Sequence, residues 1–363
     1  MCAELPHVDK PWKDVYNLNM DGYFVFSPDR DPYKNFARED WLLSFAGQTG
    51  VAVLYLWQND PVVVIGRNQN ACAQCNLAYT RAEGIPVIRR RTGGGAVYHD
   101  AGNLNFSILL PPALYDIARS TAAIVSALRS LGAQAEANGR NDICIGNTKV
   151  SGSAYYLGKD AGLHHGTILM RVDRERMEKA LTVSVQKTAS HGVDSARGRV
   201  TDLCSALPHI GLDELCGALR SSFSHVYGIA ALQPIQPDEG ALAERIAHYR
   251  DDEWNYARVH AYARACTARF DWGTVQLSVG MDGTTPTDVA IDSDALDPDY
   301  IDAAQSVLTA CLPLAGRADF LQIVQQKLNR PRAEDARILR DLVLLLTNRL
   351  SSAMVPDNTV VRS

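Results

Sequence analysis

Arg89–Ser107 reads RRRTGGGAVYHDAGNLNFS. Three arginines run into a threonine and three consecutive glycines, and a β-branched and aromatic stretch with His99 follows. Glycines carry no Cβ, so the backbone at 93–95 can approach a ligand closely. Successive N–H groups there can form a nest for an anion, with arginine charge beside it. The plainer reading is a glycine-rich hairpin under a basic patch. The glycines lack the Gly-Lys-Ser/Thr of a P-loop, and they lead into a strand rather than opening a helix. A nucleotide would have to bind by another scheme.

Outward from this stretch, turns and short β-rich runs alternate with helical periods. Asp31-Pro32 reads as an N-cap and first helical residue, with Phe36, Trp41, Leu42 and Phe45 at helical spacing to about Gly47. Val51–Trp57 and Val62–Arg67, around Asn59-Asp60-Pro61, read as a hairpin, and so do Ala96–His99 and Leu104–Leu110 around Asp100–Asn103. A third hairpin joins Asp142–Ile145 to Lys149–Tyr156 across Gly146-Asn147. Helices are expected over Asn76–Glu83, Tyr115–Leu131 and Leu212–Tyr227, and strands over Ile85–Arg91 and His164–Val172. Residues 182–199 are polar and irregular and read as a mobile loop of the kind that covers a site. Later, Phe270–Val279 alternates with a phase shift near Gly273 that suggests a bulge, and helices follow at about 298–311, 316–328 and 333–352.

The predicted fold is α+β: a large N-terminal domain with mixed or antiparallel sheets flanked by helices, and a smaller α+β C-terminal accessory domain. The expected boundaries are 1–250 for the first domain, an acidic hinge at 251–258, the accessory domain at 259–352 and a tail at 353–363. The chain has 363 residues, 46% hydrophobic and 21% charged, with net charge −5. That balance argues against nucleic acid as the main partner. No run reaches the ~18 apolar residues of a membrane span. The N-terminal stretch has neither signal- nor transit-peptide character, and eight scattered cysteines suit a reducing compartment, so a cytoplasmic protein is expected. Cys72 and Cys75 form a lone C-x-x-C with no second pair at zinc-ribbon spacing.

Two further stretches carry chemistry. In Gly139–Ala154, GRNDICIGNTKVSGSA, one lysine sits among small residues and could set a point charge against two anions. Asn141 and Asp142 are short polar groups suited to a ribose, a base or Mg²⁺. Alternatively, Lys149 is a solvated edge-strand lysine and Asn141-Asp142 a turn. In Gly162–Thr167, GLHHGT, adjacent strand residues face opposite ways, so one histidine enters a site and the other is structural.

In their order, RRRTGGGAVYHDAGNLNFS, GRNDI, KVSGSA and HHGT resemble the lipoate-protein ligase family of the biotin/lipoate ligase superfamily. The resemblance extends to WQNDPVVVIGRNQN (Trp57–Asn70) and the DEWNYA hinge. It implies an enzyme that converts lipoate and ATP-Mg²⁺ to lipoyl-adenylate and pyrophosphate. The lipoyl group then passes to a lysine of an acceptor domain, in E2 subunits of 2-oxoacid dehydrogenases or the glycine-cleavage H protein. By matching positions, Lys149 is the catalytic residue, bridging the lipoyl carbonyl and the α-phosphate. Arg90, with Arg89 or Arg91 as possible helpers, supports the anionic end. Thr92, Gly93, Gly94 and Gly95 lie along the acyl-adenylate, and Trp57, His99 and His165 line the acyl tunnel. Ser151 and Gly152 border the adenylate. Val97, Asn141 and Asp142 hold the nucleotide, Asp142 being the candidate Mg²⁺ ligand. The 182–199 loop is the lid, and the C-terminal domain swings on the hinge.

One departure is Tyr156, where enterobacterial members carry an arginine near the lipoyl end; it leaves lipoate-versus-octanoate preference open. A lipoyltransferase using preformed lipoyl-adenylate shares these motifs. An octanoyl transferase needs a nucleophilic cysteine, and none follows KVSGSA before Cys204. With Lys149, the triple glycine and the C-terminal domain all present, nothing recommends a lipoate-binding or acceptor-docking protein that has lost catalysis.

Overall fold

The structure is a computed structural model that describes residues 21–139, 141–171, 173–182, 202–258, 262, 264–330 and 332–351. The chain divides into two compact units. One comprises residues up to Val64, Gln74–Arg89 and Val97–Asn255; the other comprises Ile65–Ala73, Arg90–Ala96 and the residues from Tyr256 onward.

The strands in chain order are β1 (Gly22–Phe26), β2 (Ala52–Trp57), β3 (Val62–Ile65), β4 (Val87–Arg89), β5 (Val97–His99), β6 (Asn103–Leu110) and β7 (Ala135–Asn138). They continue with β8 (Asp142–Ile145), β9 (Thr148–Leu157), β10 (Gly162–Leu169), β11 (Leu232–Pro234), β12 (Arg264–Phe270), β13 (Gly273–Asp282) and β14 (Thr285–Ser293). An eight-stranded sheet in the order β11-β1-β2-β6-β10-β9-β8-β7 dominates the first unit. β1 runs parallel to β2 and β11, and the other pairs are antiparallel. The fold is thus the expected α+β, with a mixed sheet.

Helices cover both faces of this sheet, so β6 is buried at every position. Leu104, Phe106, Ile108 and Leu110 of β6 pack with the helices Ile117–Ser130 and Leu212–Tyr227. The alternate residues face the helix Pro32–Thr49, where Val53, Tyr55, Trp57, Leu109 and Leu163 gather. That helix starts as expected: Asp31 accepts from the N–H groups of Tyr33 and Lys34, and Pro32 follows at once. Gly50 closes it with φ 73°, open to glycine at little cost. Phe36 and Leu42 are buried, but so are Asn35, Arg38, Glu39 and Asp40.

Two expected hairpins do not form. Asn59-Asp60-Pro61 carries the chain from β2, in the large sheet, to β3, in a separate sheet of order β4-β3-β5. Asn59 is fully buried and accepts from Asn35 Nδ2 at 2.9 Å, while the Asp60 N–H donates to Arg30 O. These bonds hold the segment against the start of the first helix instead of folding β3 back on β2. Likewise β5 pairs with β3 (Val62↔His99), and β6 pairs with β2 and β10. Turn chemistry reports a change of direction and says nothing of which sheet receives the next strand. The β8–β9 hairpin forms as expected, with a bulge at Ile143/Cys144.

In the second unit, β12, β13 and β14 form an antiparallel sheet covered by the helices Pro298–Cys311, Phe320–Leu328 and Ala333–Ser351. The phase shift near Gly273 is a turn between β12 and β13, not a bulge; Asp271-Trp272 reverses the chain and Phe270 pairs with Gly273. The irregularity in this sheet falls at Gly280/Met281. No helix among the described residues is long and apolar enough to cross a membrane.

Candidate active site

Strand register in the first unit brings Trp57, Gly152 and Asp142 into one lateral row. Trp57 pairs with Asn105, Asn105 with Thr167, Thr167 with Gly152, and Gly152 with Asp142. All lie on the face that meets the helix Pro32–Thr49, because side chains alternate along each strand. Exposure falls along the row. The side chains of Lys149 and Asp142 are 33% and 35% exposed, and Trp57 at the far end is 2% exposed. The row thus runs from a partly exposed, charged end at Lys149 and Asp142 to a buried end at Trp57.

Lys149 reaches the exposed end because of the β8–β9 bulge, which places an extra residue in β9 and re-aims the side chain. Its ammonium lies 2.7 Å from Asp142 Oδ1. It would sit 2.8 Å from a Cβ at Gly152, so any side chain there would displace the lysine. Asn141 braces the strand: its Nδ2 donates to Ser153 O at 2.8 Å, and its own carbonyl accepts from the Ser153 N–H. Ser151 alternates with Gly152 and turns its fully buried side chain to the opposite face, in register with Ile143 and Ile168. Asp142 offers one carboxylate, and no group of three or more His, Cys, Asp or Glu clusters among the described residues. A single carboxylate suits Mg²⁺ carried on nucleotide phosphates, which needs only one or two protein ligands.

The two adjacent histidines divide as expected. His165 faces the row, and its Nδ1 is 2.9 Å from Glu39 Oε1. The same oxygen accepts from Ser107 Oγ, which in turn accepts from the Trp57 indole N–H at 3.0 Å. Glu39 therefore anchors two residues of the expected acyl tunnel. His99 stands edge-on to Trp57 at 6.3 Å and its Nδ1 meets Asn59 Nδ2. His164 turns to the other face between the hydroxyls of Ser120 and Ser153, at 2.7 and 3.0 Å. Burial, with a smaller effect from His165, lowers its pKa to about 3, so it is neutral and structural.

The arginines separate as well. Arg89 is 1% exposed and belongs to the first unit. Its guanidinium donates to the carbonyls of Trp254 and Asn255, and the Trp254 indole donates back to Arg89 O. It ties β4 to the DEWN helix (Asp252–Asn255).

Arg90 and the glycines belong to the second unit. The Arg90 guanidinium donates to Thr92 Oγ1 and to the carbonyls of Gly93 and Gly95, and so shapes the loop from within. A Cβ at Gly93 would lie 2.1 Å from Ala295 O, whereas one at Gly95 would meet nothing within 4 Å. Gly94 has φ 88°, and its N–H donates to Ala295 O. Gly93 is thus required by packing, Gly94 by its backbone angle, and Gly95 is the open position. The 65–73 stretch is secured nearby: Asp302 takes Arg67, Asn68 and Arg258 together. Val97 begins β5, half-buried. Of the expected 182–199 lid, all but Thr182 lies outside the described residues.

Sequence reasoning passed over Asn105, Ser107, Thr167 and Glu39. The first two had a readable signal, since N-L-N-F-S places polar residues at every second position of a buried strand. Glu39 had only a polar run on a helix face, which ordinarily means solvent.

Residues 31–224 match the family model of the lipoyl protein ligase A/B catalytic domain. Among solved structures, P. falciparum LipL1 in complex with lipoate is 26% identical, with a TM-score of 0.76; the match covers 89% of this chain and 99% of that one. A bi-partite lipoate protein ligase from Thermoplasma acidophilum, studied with its E2 lipoyl domain, is 29% identical with a TM-score of 0.59, covering 67% and 99%. Lipoate-protein ligase A bound with ATP is 28% identical with a TM-score of 0.58, covering 66% and 99%.

Proposed function

The chain belongs to the lipoyl protein ligase A/B catalytic-domain family, and from that premise we propose that it attaches lipoate to acceptor proteins through an acyl-adenylate. In the first step a lipoate carboxylate oxygen attacks the α-phosphorus of ATP, and the bond to pyrophosphate breaks. In the second, the uncharged ε-amine of an acceptor lysine attacks the lipoyl carbonyl carbon. An amide forms, AMP leaves with the C–O electron pair, and the amine loses a proton to solvent. The acceptors are lipoyl domains of E2 subunits and the glycine-cleavage H protein. The T. acidophilum relative was studied with its E2 lipoyl domain, which supports the first of these.

The observation that carries the reading is the Lys149 ammonium, held over Gly152 at the mouth of a face that deepens to Trp57. Two anions repel, and a fixed cation between them lowers the barrier to joining them. Lys149 first balances the carboxylate against the α-phosphate, and later the charge growing on departing AMP. Its ion pair with Asp142 keeps the amine at the mouth before substrates arrive. Asn141 and Asp142 hold the nucleotide, Asp142 with Mg²⁺, which would supply charge neutralisation on the phosphates. Arg90, Thr92 and the glycine loop support the anionic end, with Gly95 as the open position, and Val97, two residues on, contacts the nucleotide. Trp57, His99 and His165 exclude water around the acyl chain.

Pyrophosphate release from ATP is expected to require lipoate and no acceptor protein. Transfer from synthetic lipoyl-adenylate without such release would make this a lipoyltransferase served by a separate activating enzyme. Lys149→Ala is expected to lower acyl transfer about 10²–10³-fold and to leave folding intact, because the side chain is one-third exposed. Transfer undiminished in that variant would remove Lys149 from the mechanism.

A further inference from the structure

Asn105 occupies the row between Trp57 and Thr167, on a strand of which every residue is buried. It is 2% exposed. Its Oδ1 accepts from Asn103 Nδ2 at 2.9 Å, and its own Nδ2 has no hydrogen-bond partner among the described residues. A buried amide donor left unmade carries the full desolvation penalty of the group, whereas an apolar side chain of the same shape would not. A polar group kept at such a position on the ligand-facing side of a sheet points to an acceptor that arrives with the ligand.

What that acceptor is follows from position, given the ligase reading above. Asn105 lies two strands from Gly152, about 10 Å at ordinary strand spacing, and the Lys149 ammonium lies over Gly152. An acyl chain whose carbonyl is at Lys149 and whose tail points to Trp57 therefore brings its far end to Asn105. In lipoate the far end is a dithiolane ring, whose sulfurs are weak hydrogen-bond acceptors. In a plain eight-carbon acid it is methylene ending in methyl, which offers none. Thr167 and Gly152 lie between, and neither has a bulky side chain to divert the chain.

We propose that Asn105 is a specificity-determining residue whose amide N–H donates to a dithiolane sulfur, favouring lipoyl over octanoyl chains. It acts at the end of the acyl chain remote from the reacting carbonyl, so its effect falls on discrimination between acids.

The test is the ratio of kcat/KM for lipoate and octanoate in transfer to a lipoyl domain by the full chain. Asn105→Leu keeps the branched shape and removes the donor. The ratio is expected to fall about fivefold, the size of one net neutral hydrogen bond. Octanoate transfer should hold or rise. A ratio within twofold of wild type in a folded Asn105→Leu protein overturns the proposal. The unaltered protein supplies a second measurement that needs no variant. Calorimetric binding of lipoate is compared with that of 5-cyclopentylpentanoate, which replaces both ring sulfurs with methylene. Lipoate is expected to bind about fivefold tighter, and equal binding overturns the proposal. Absence of lipoate-dependent transfer by the wild-type chain would instead count against the ligase reading, and the binding comparison would still decide the role of Asn105.

Discussion

The two faces of the eight-stranded sheet are built from the same strands yet are chemically unlike. On one, Leu104, Phe106, Ile108 and Ile168 meet two amphipathic helices in an apolar layer, interrupted by His164 with its two hydroxyl partners. On the other, Asn103, Asn105, Ser107 and His165 are buried among Trp57, Tyr55 and Leu163. Burying polar groups costs free energy unless each is hydrogen-bonded. Both faces bury an apolar cluster, but the second also carries buried polar groups, each of which lowers stability where its hydrogen bonds are incomplete.

The comparison is broken most strongly from the apolar face. Phe223→Ala, in the helix Leu212–Tyr227, removes a ring that is 1% exposed. It should cost about 3–5 kcal/mol in denaturant unfolding while specific activity of the folded fraction holds. Loss of activity without loss of stability would mean that the faces are not separable in this way.

Ser107→Ala tests the polar face. It strips a partner from both Glu39 and the Trp57 indole. A loss of about 1–3 kcal/mol is expected, together with a raised KM for lipoate as Trp57 loosens. Unchanged KM would detach the Glu39–Ser107–Trp57 chain from the acyl site.

His164 sharpens the contrast through pH. Its pKa is lowered from 6.5 to about 3 by burial. The unfolded chain therefore binds a proton in the intervening range that the folded chain does not, and stability falls as pH drops below about 6.5. At pH 5.5 the loss from this group should be about 1.4 kcal/mol. In His164→Gln, the slope of stability against pH between 5 and 6.5 should flatten by one proton; an unaltered slope would place the acid sensitivity elsewhere.

Local chemistry was legible where the deciding interactions are local. The helix Pro32–Thr49 was readable from Asp31-Pro32 and its periodicity, and the β8–β9 hairpin from Gly146-Asn147. That His164 and His165 face opposite ways followed from strand alternation alone. The two false hairpins fail for a common reason: the partner of a strand is chosen by long-range packing, and Asn59 is buried against Asn35, 24 residues away. Local sequence does not distinguish the three arginines, and only the family resemblance put Arg90 first. Arg89 is bonded to residues 165 and 166 positions away, at Trp254 and Asn255, and no local pattern could single it out.

The sequence by itself determined the class of fold, the ordered family motifs and the residue types the chemistry needs, because these reside in composition, turn signals and short-range spacing. Tertiary structure alone decided the row from Asp142 to Trp57 and the use of Gly93 and Gly94 to pack against Ala295. Register and close backbone approach join residues far apart in the chain, and they become readable only when the pairing strands are in place.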